Sequence, residues 1–375
     1  MEELPPLKAQ TFRHLVSDPP SRSAKSTAQF SLCTYNVLHQ ELISPGRYPT
    51  DKNTELVFDP SRRRRMLQQD LQQLEPHTDI FCFEEMSPTT YEDFAKSLGR
   101  SAFGGHLLKR QANRPLYNAM FYRKSKFQLE QHHEINLHEG LSSLHLQDDN
   151  LKEHQAMDFF AICNHFIFIE NDNNAGDIPK QNKKKHLLVM MAHLHHNPVD
   201  DVIKYAEMSQ LLNSVARIRQ TIRTNSNGED DVFTIVAGDF NAQPTNQVYR
   251  LAVMGGTPTL SSLQEETMVL PTWLEQRQAW LPLYQQIYQQ TTMVGTLDSV
   301  YSAYNEKGGE CGHPRYTNLT DGFKNNIDYI LYDKSKLCPI RLLELDVATY
   351  EKEDYLPSQF HASDHVPLWA EFECR

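Results

Sequence analysis

Asp231-Val232-Phe233-Thr234-Ile235-Val236-Ala237-Gly238-Asp239-Phe240-Asn241 is the stretch on which the reading of the fold turns. Its β-branched and aromatic run reads as a buried strand. Gly238 ends that strand and lets the backbone come close to a neighbour. The pleat then leaves a carboxylate, Asp239, and a carboxamide, Asn241, two residues apart at the strand mouth. In α/β and sandwich proteins, strand mouths are where polar side chains meet ligands. An acid and an amide there suit phosphate and hard-metal chemistry. One handles a proton, and the other donates to a developing oxyanion. Alone, the four residues fit an ordinary Asp/Asn turn equally well, so their company decides.

Working outward, the same pattern recurs. Phe30 to Leu38 reads as a strand carrying Asn36, and Asp79 to Phe83 as one running into Glu84-Glu85-Met86. His186 to Met191 leads into His193, Ile327 to Tyr332 carries Asp328, and Ser363-Asp364-His365 precedes a strand over Leu368 to Phe372. Taken singly, Asn36 is a turn former, Glu85 a strand-end charge and His193 a satisfied core histidine. Independent turns do not explain why acids, amides and histidines all end strands in the same way.

Between these strands, Asp59 or Ser61 caps a helix with Leu67, Leu71 and Leu74 on one face. Asp201 to Arg219 reads as an amphipathic helix with Val202, Tyr205, Met208, Leu212 and Val215 inward. Ala119 to Phe127 reads as a strand or strand-turn, and a mixed helical region runs to about residue 290. The Arg62–Arg65 run reads as a solvated helix face in preference to a phosphate clamp. Residues 1–29 read as a flexible N-terminal segment, and 30–375 as one catalytic domain. A surface insertion is expected over about 140–185, which includes Asn171 to Asp177 and Lys183-Lys184-Lys185. No internal repeat of solenoid length is visible.

The 375 residues carry a net charge of −11, so no global basic field attracts long duplexes. An enzyme gripping a few nucleotides in a metal-containing cleft remains compatible. The six cysteines follow no framework spacing and read as reduced thiols of an intracellular protein. No apolar run is long enough to span a membrane. The opening residues lack the basic and apolar regions of a secretory signal, and the expected compartment is the cytoplasm.

The chemistry of the strand mouths is self-consistent. Glu85 and Asn36 are hard oxygen ligands suited to Mg²⁺. His365 is the candidate general base for an attacking water, oriented by a carboxylate; Asp328 is near enough in topology to supply it. Asp239 serves the leaving oxygen or a second metal, while Asn241 and His193 stabilise charge on phosphoryl oxygens. The His193, His195, His196 group lacks the spacing of a familiar zinc site.

Six ordered blocks carry a resemblance: Thr34-Tyr35-Asn36-Val37-Leu38, Asp79 to Met86, His193-Leu194-His195, Gly238 to Pro244, Ile327-Asp328-Tyr329-Ile330 and Ser363 to Leu368. In these the chain resembles the endonuclease/exonuclease/phosphatase superfamily. Tyr316-Thr317-Asn318-Leu319-Thr320-Asp321-Gly322-Phe323 narrows this to the deadenylase, nocturnin and Angel branch. The resemblance implies an α/β, DNase-like four-layer sandwich of two mixed β-sheets face to face, with helices outside. It also implies a Mg²⁺-dependent (Mn²⁺ substituting) 3′–5′ exoribonuclease that releases 5′-nucleotides from an RNA 3′ end, with poly(A) as the expected substrate.

In that branch an aromatic at Phe323 stacks on a base and Pro198 packs on its other side. Asn318 is a candidate for base contacts, and Asp364 for the substrate side. Two other expectations share the catalytic set: a small-nucleotide 2′-phosphatase or 2′,5′-oligoadenylate phosphodiesterase, and an RNA-binding module without turnover. Two departures stand out. Glu84 replaces the branch's usual Gln, with the Arg62–Arg65 helix as a candidate to neutralise it. Tyr117-Asn118 replaces an Asp-Gly, which puts the substrate-side loop in question.

Overall fold

The computed structural model describes residues 11–15, 28–44, 47–48, 59–111, 114–143, 152, 158–169, 183–264, 275, 277–292, 297–304, 312–345 and 355–375. One sheet contains Phe12–His14 (β1), Gln29–Asn36 (β2), Ile80–Met86 (β3), Phe103–Lys109 (β4), Tyr117–Arg123 (β5), Leu337–Leu343 (β14) and Leu368–Cys374 (β15). Their order across it is β1-β14-β15-β2-β3-β5-β4. The other contains Phe127–Asn136 (β6), Phe160–Phe168 (β7), Lys185–Met191 (β8), Asp231–Asp239 (β9), Leu297–Ser299 (β10) and Asp328–Asp333 (β13), ordered β10-β13-β9-β8-β7-β6. Asn318–Leu319 (β11) and Lys324–Asn325 (β12) form a small hairpin.

Each sheet holds one parallel pair, β2/β3 and β8/β9, among antiparallel neighbours. Alternation along these strands divides the apolar side chains between two faces. Phe30, Leu32, Ile80 and Cys82 meet Leu187, Val189, Phe233 and Ile235 between the sheets. On the outer face of the first sheet, Cys33, Phe81 and Phe83 pack under Pro60–Leu74 (α1) and Pro88–Leu98 (α2). On the second, Leu188, Met190 and Val236 pack under Asp201–Asn225 (α3). The result is four layers, helix, sheet, sheet, helix, as the family resemblance implied. Among the described residues, no helix is long and apolar enough to cross a membrane.

Several expectations change in detail. α3 runs six residues past Arg219 because Ile222 adds another buried apolar position. Ala119 to Phe127, as the strand-turn reading has it, is most of β5 and the short turn that crosses to β6 in the other sheet. The stretch read as a surface insertion contains β7, a fully paired strand between β6 and β8. Its inward Ile162 and Phe166 are buried between the sheets. Asn171 to Asp177 lie outside the described residues. Within 1–29, Phe12–His14 pairs with β14, and the Phe12 ring packs edge-on against Trp369 at 4.6 Å.

The arginine run is neither a solvated face throughout nor a phosphate clamp. Asp59 caps α1 through its side chain. Arg64 pairs with Asp93 at the surface, but Arg62 and Arg63 are buried. Arg63 donates to the carbonyls of Val37 (3.0 Å), Leu38 (2.8 Å) and Ala362 (2.8 Å), and to Gln40 Oε1 (2.8 Å). It clamps the segment after β2 to the segment before β15. Arg63→Met leaves these buried acceptors without donors. Its unfolding free energy is expected to fall by about 3 kcal/mol or more, read by urea denaturation.

Candidate active site

Both parallel pairs point their C-terminal ends the same way, and the antiparallel strands beside them begin at that end. Asp328 therefore opens β13 directly opposite Asp239, which closes β9. The sequence reading had Asp328 ending a strand; the antiparallel pairing reverses this and still delivers it to the same mouth. His365 lies just before β15, whose neighbour β2 ends in Asn36.

Gly238 sits where these ends converge, at φ 132°. A β-carbon there would stand 2.1 Å from the Ala192 carbonyl oxygen and 3.0 Å from Glu84 Oε1. Only glycine admits that approach. Beyond it, Glu85 and Asn241 turn into the left-handed region at φ 56° and 49°. Such backbone is costly for non-glycine residues and is held here by surrounding contacts. Glu85 Oε2 accepts the His39 N–H at 3.1 Å, and Asn241 Nδ2 donates to the Leu194 carbonyl at 3.1 Å.

His365 Nδ1 lies 3.0 Å from Asp328 Oδ2, and its Nε2 lies 3.7 Å from Asp239 Oδ2. His193 Nε2 is 3.4 Å from the same Asp239 oxygen and 4.0 Å from Glu85 Oε1. Asn36 Nδ2 also donates to Asp239 Oδ2 at 3.1 Å, while Asn36 Oδ1 accepts the Leu38 N–H at 3.0 Å. Ser363 ties the two halves together. Its hydroxyl donates to the Asn36 carbonyl at 2.7 Å and accepts the His365 N–H at 3.1 Å. All seven strand-mouth residues, Asn36, Glu85, His193, Asp239, Asn241, Asp328 and His365, thus come together.

On the substrate side, Phe323, Pro198, Asn318 and Asp364 line the same cavity of about 540 Å³ as Glu85, His193, Asp239, Asn241 and His365. Among the described residues, Phe323 is one of the large apolar side chains left exposed. Asp364 Oδ2 accepts the Tyr48 hydroxyl at 2.8 Å, and the Arg47 guanidinium lies 4.0 Å away. Arg47 and Tyr48 were missed in the sequence, where they sit in a polar loop with no periodic or motif signal. Thr317 was quoted only as part of a signature. Its Oγ1 accepts the N–H groups of Ile327 (2.9 Å) and Asp328 (3.1 Å), fixing the start of β13. Arg110, buried, donates to the His193 and Leu194 carbonyls at 2.8 and 2.7 Å and so holds the exit from β8. His195 turns away from the cleft toward Asp200 and Glu207.

The two departures acquire physical meanings. Glu84 is fully buried and receives the Thr34 hydroxyl at 3.1 Å, while Arg62, Arg63 and Arg64 bond elsewhere. Burial, with Asp328 and Asp239 nearby, pushes its carboxyl well above the usual range and favours the neutral acid. A protonated glutamic acid has the shape of the glutamine it replaces. Asn118 is buried in β5 and donates to the Phe160 carbonyl at 3.1 Å, so that position knits the sheets together.

The cluster is rich in negative charge. Burial and Asp328 push Asp239 up to about 7. For His365, burial opposes the charged ring, but Asp328 and Asp239 outweigh it and raise its value. Burial and Arg110 lower that of His193. Carboxylates crowded until they retain protons are a donor set that suits a hard cation. Asp239, Asp328 and His365 present ligand atoms within 4.8 Å of one another, and Glu85 and Asn36 flank them.

The sequence profile described as the Endonuclease/Exonuclease/phosphatase family matches residues 33–365. The chain belongs to that family. It is 24% identical to carbon catabolite repressor protein 4 homolog 4 of Arabidopsis thaliana, over 93% of this chain and 79% of that protein. It is also 24% identical to the CCR4-Not complex 3′–5′-exoribonuclease subunit Ccr4 of Candida albicans, over 94% of this chain and 42% of the relative. Human 2′,5′-phosphodiesterase 12 is 24% identical over 78% of this chain and 43% of its own length. The crystal structure of ANGEL2, described as a 2′,3′-cyclic phosphatase, superposes with a TM-score of 0.68 at 20% identity, covering 98% of this chain and 99% of that one. These relatives are those of the deadenylase, nocturnin and Angel branch, and the shared architecture is the DNase-like sandwich. The chain is a hydrolytic enzyme of this family, whose members generally depend on a divalent metal.

The cluster sets a pH signature. Without metal, Asp239 titrates at about 7 in the fold against an ordinary 3.8. A raised carboxyl contributes stability that is fully present below the ordinary value and lost as pH rises through about 7. A divalent cation binds the deprotonated form and replaces the lost protons. In EDTA the melting temperature is therefore expected to fall across that window. Added Mg²⁺ should raise it most at the alkaline end, as measured by scanning calorimetry. A flat cation response across the window would contradict this account.

Proposed function

We propose that this chain is a Mg²⁺-dependent 3′–5′ exoribonuclease that prefers poly(A) and releases 5′-nucleotides. The observation that carries the reading is the continuity of one cleft. The acid–histidine cluster and a wall of Phe323, Pro198 and Asn318 line the same cavity. A phosphodiester placed at the cluster puts its adjoining base against the exposed Phe323 ring, an arrangement that suits stacking on a single-stranded nucleotide.

Glu85 and Asn36 would hold the cation, which when bound supplies Lewis-acid charge to phosphoryl oxygens. The rest falls to this chain's own side chains. Asp328 fixes His365 through Nδ1, so that Nε2 faces the cleft and takes the proton of the attacking water. As the P–O3′ bond breaks, Asp239 serves the leaving oxygen. Asn241 commits one amide hydrogen to Leu194 and keeps the other for a phosphoryl oxygen, with His193 beside it. Exoribonuclease chemistry draws support from the named activity of the Candida albicans relative. A second reading, cleavage of 2′,5′-linked oligoadenylate, draws support from the 2′,5′-phosphodiesterase relative and uses the same cluster.

One assay separates the two readings. End-labelled oligo(A), oligo(U) and 2′,5′-linked oligo(A) are incubated with the chain and Mg²⁺. Oligo(A) is expected to shorten as a ladder from its 3′ end, ahead of oligo(U). EDTA, Asp239→Ala and His365→Ala should each abolish the ladder. Intact oligo(A) beside degraded 2′,5′-oligomer would replace the first reading with the second. Phe323→Ala removes an exposed ring, leaving the fold intact. It should cost about 1–3 kcal/mol in kcat/KM on oligo(A), as expected for one lost base stack.

A further inference from the structure

At the opposite end of the second sheet, away from the catalytic mouth, three histidines form a diagonal row across neighbouring strands. His133 on β6, His165 on β7 and His186 on β8 line one cavity of about 780 Å³ beneath the last turns of α3. Strand register makes this a built arrangement. Gln131 and His133 pair with His165 and Cys163, while His165 and Ile167 pair with Leu188 and His186. Each histidine thus lies diagonal to the next on the same face.

The hydrogen bonds give the row a direction. His186 Nε2 is 3.0 Å from Asp230 Oδ2, and His186 Nδ1 is 2.7 Å from His165 Nε2. An ionised carboxylate can only accept, so His186 carries its proton on Nε2 and accepts through Nδ1. His165 must then donate from Nε2, which leaves Nδ1 as a bare lone pair. That atom is buried with no hydrogen-bond partner, and the whole residue is 4% exposed. His133, which lines the same cavity, likewise has its Nε2 buried and unpartnered. An imidazole whose far nitrogen is anchored through a carboxylate is how proteins orient a metal-binding histidine and raise its basicity.

We propose that His133 Nε2 and His165 Nδ1 bind a borderline transition-metal cation of the Zn²⁺ class, backed by the His186–Asp230 relay. Nitrogen donors select such a cation, whereas the oxygen-rich catalytic cluster selects Mg²⁺. Burial, with His186 and His133 nearby, holds His165 down to about 4, so the ring is neutral and its lone pair free for a metal. The C-terminal end of α3 faces the cavity and favours a cation over an anion. Lys183, Lys184 and Arg217 in the lining are matched in number by Glu130, Glu229 and Asp230. Among the described residues, three ligand atoms within 4.8 Å occur only at the catalytic cluster. The proposed site thus offers two protein nitrogens, with water filling the cation's remaining positions.

Calorimetric titration of Zn²⁺ into the full chain, with excess Mg²⁺ present to occupy the oxygen site, tests this. Wild type should show a Zn²⁺ isotherm that weakens at least tenfold in His133→Gln and His165→Gln. Asp230→Asn should weaken it by about 10- to 100-fold, the usual effect of losing a ligand's carboxylate partner. All three should retain Mg²⁺-dependent hydrolysis, which also reports that they fold; His133 is only half-buried and guards against collapse of the His165 variant. Isotherms of His133→Gln and His165→Gln that superimpose on wild type, or no Zn²⁺ binding by wild type, would overturn the proposal.

Discussion

The close contact of the Ala192 carbonyl with Gly238 is the constraint on which the cleft depends. A β-carbon at that position would lie 2.1 Å from the carbonyl oxygen and 3.0 Å from Glu84 of the other sheet. Its absence lets β8 leave the sheet tightly against β9, so that His193 and Asp239 share one oxygen-to-nitrogen contact of 3.4 Å. It also lets the two sheets converge at their C-terminal ends. Any side chain there would push apart the walls that bring Glu84, Asp239 and Asp328 together.

That convergence sets the electrostatics. The sandwich places Glu84, Glu85, Asp239, Asp328 and Asp364 in one buried region, and burial with the neighbouring acids pushes Glu84 and Asp239 toward protonation. The fold answers locally. Glu84 is held near a hydroxyl, Asp328 takes the imidazole of His365, Asp239 takes the amide of Asn36, and Asp364 takes the phenol of Tyr48. These partners leave Asp239 and Glu85 to face the open cavity together. A hard cation is the natural complement of what they leave uncompensated.

Much of this was legible in the sequence because each functional group follows or precedes an apolar run that announces its strand. Gly238-Asp239, His193 and Asn36 are of that kind, while the four-layer architecture was legible only through the family resemblance that these blocks carry. β4 was not legible, since Gly104 and Gly105 weaken its strand character, and the polar run Gln131-His132-His133 hides β6. Arg63 defeats a local reading for a different reason. A charged residue in a helical first turn is ordinarily solvated, and its burial here depends on carbonyls from segments 25 and 299 residues away. Tyr48 is the same case, meeting Asp364 across 316 residues. Contacts of that range come from topology alone.

The position of β15 carries one more consequence. Among the described residues it is the last strand in sequence, yet it lies inside the first sheet, between β14 and β2. Asn36, Arg63 and Tyr48 all reach their partners in the segment just before it. The first sheet therefore cannot close, nor the catalytic mouth assemble, until residues 362–374 have been made and threaded into place. A chain cut before residue 362 would keep Asn36, Glu85 and Asp239 yet lack the partners that draw those side chains into one mouth.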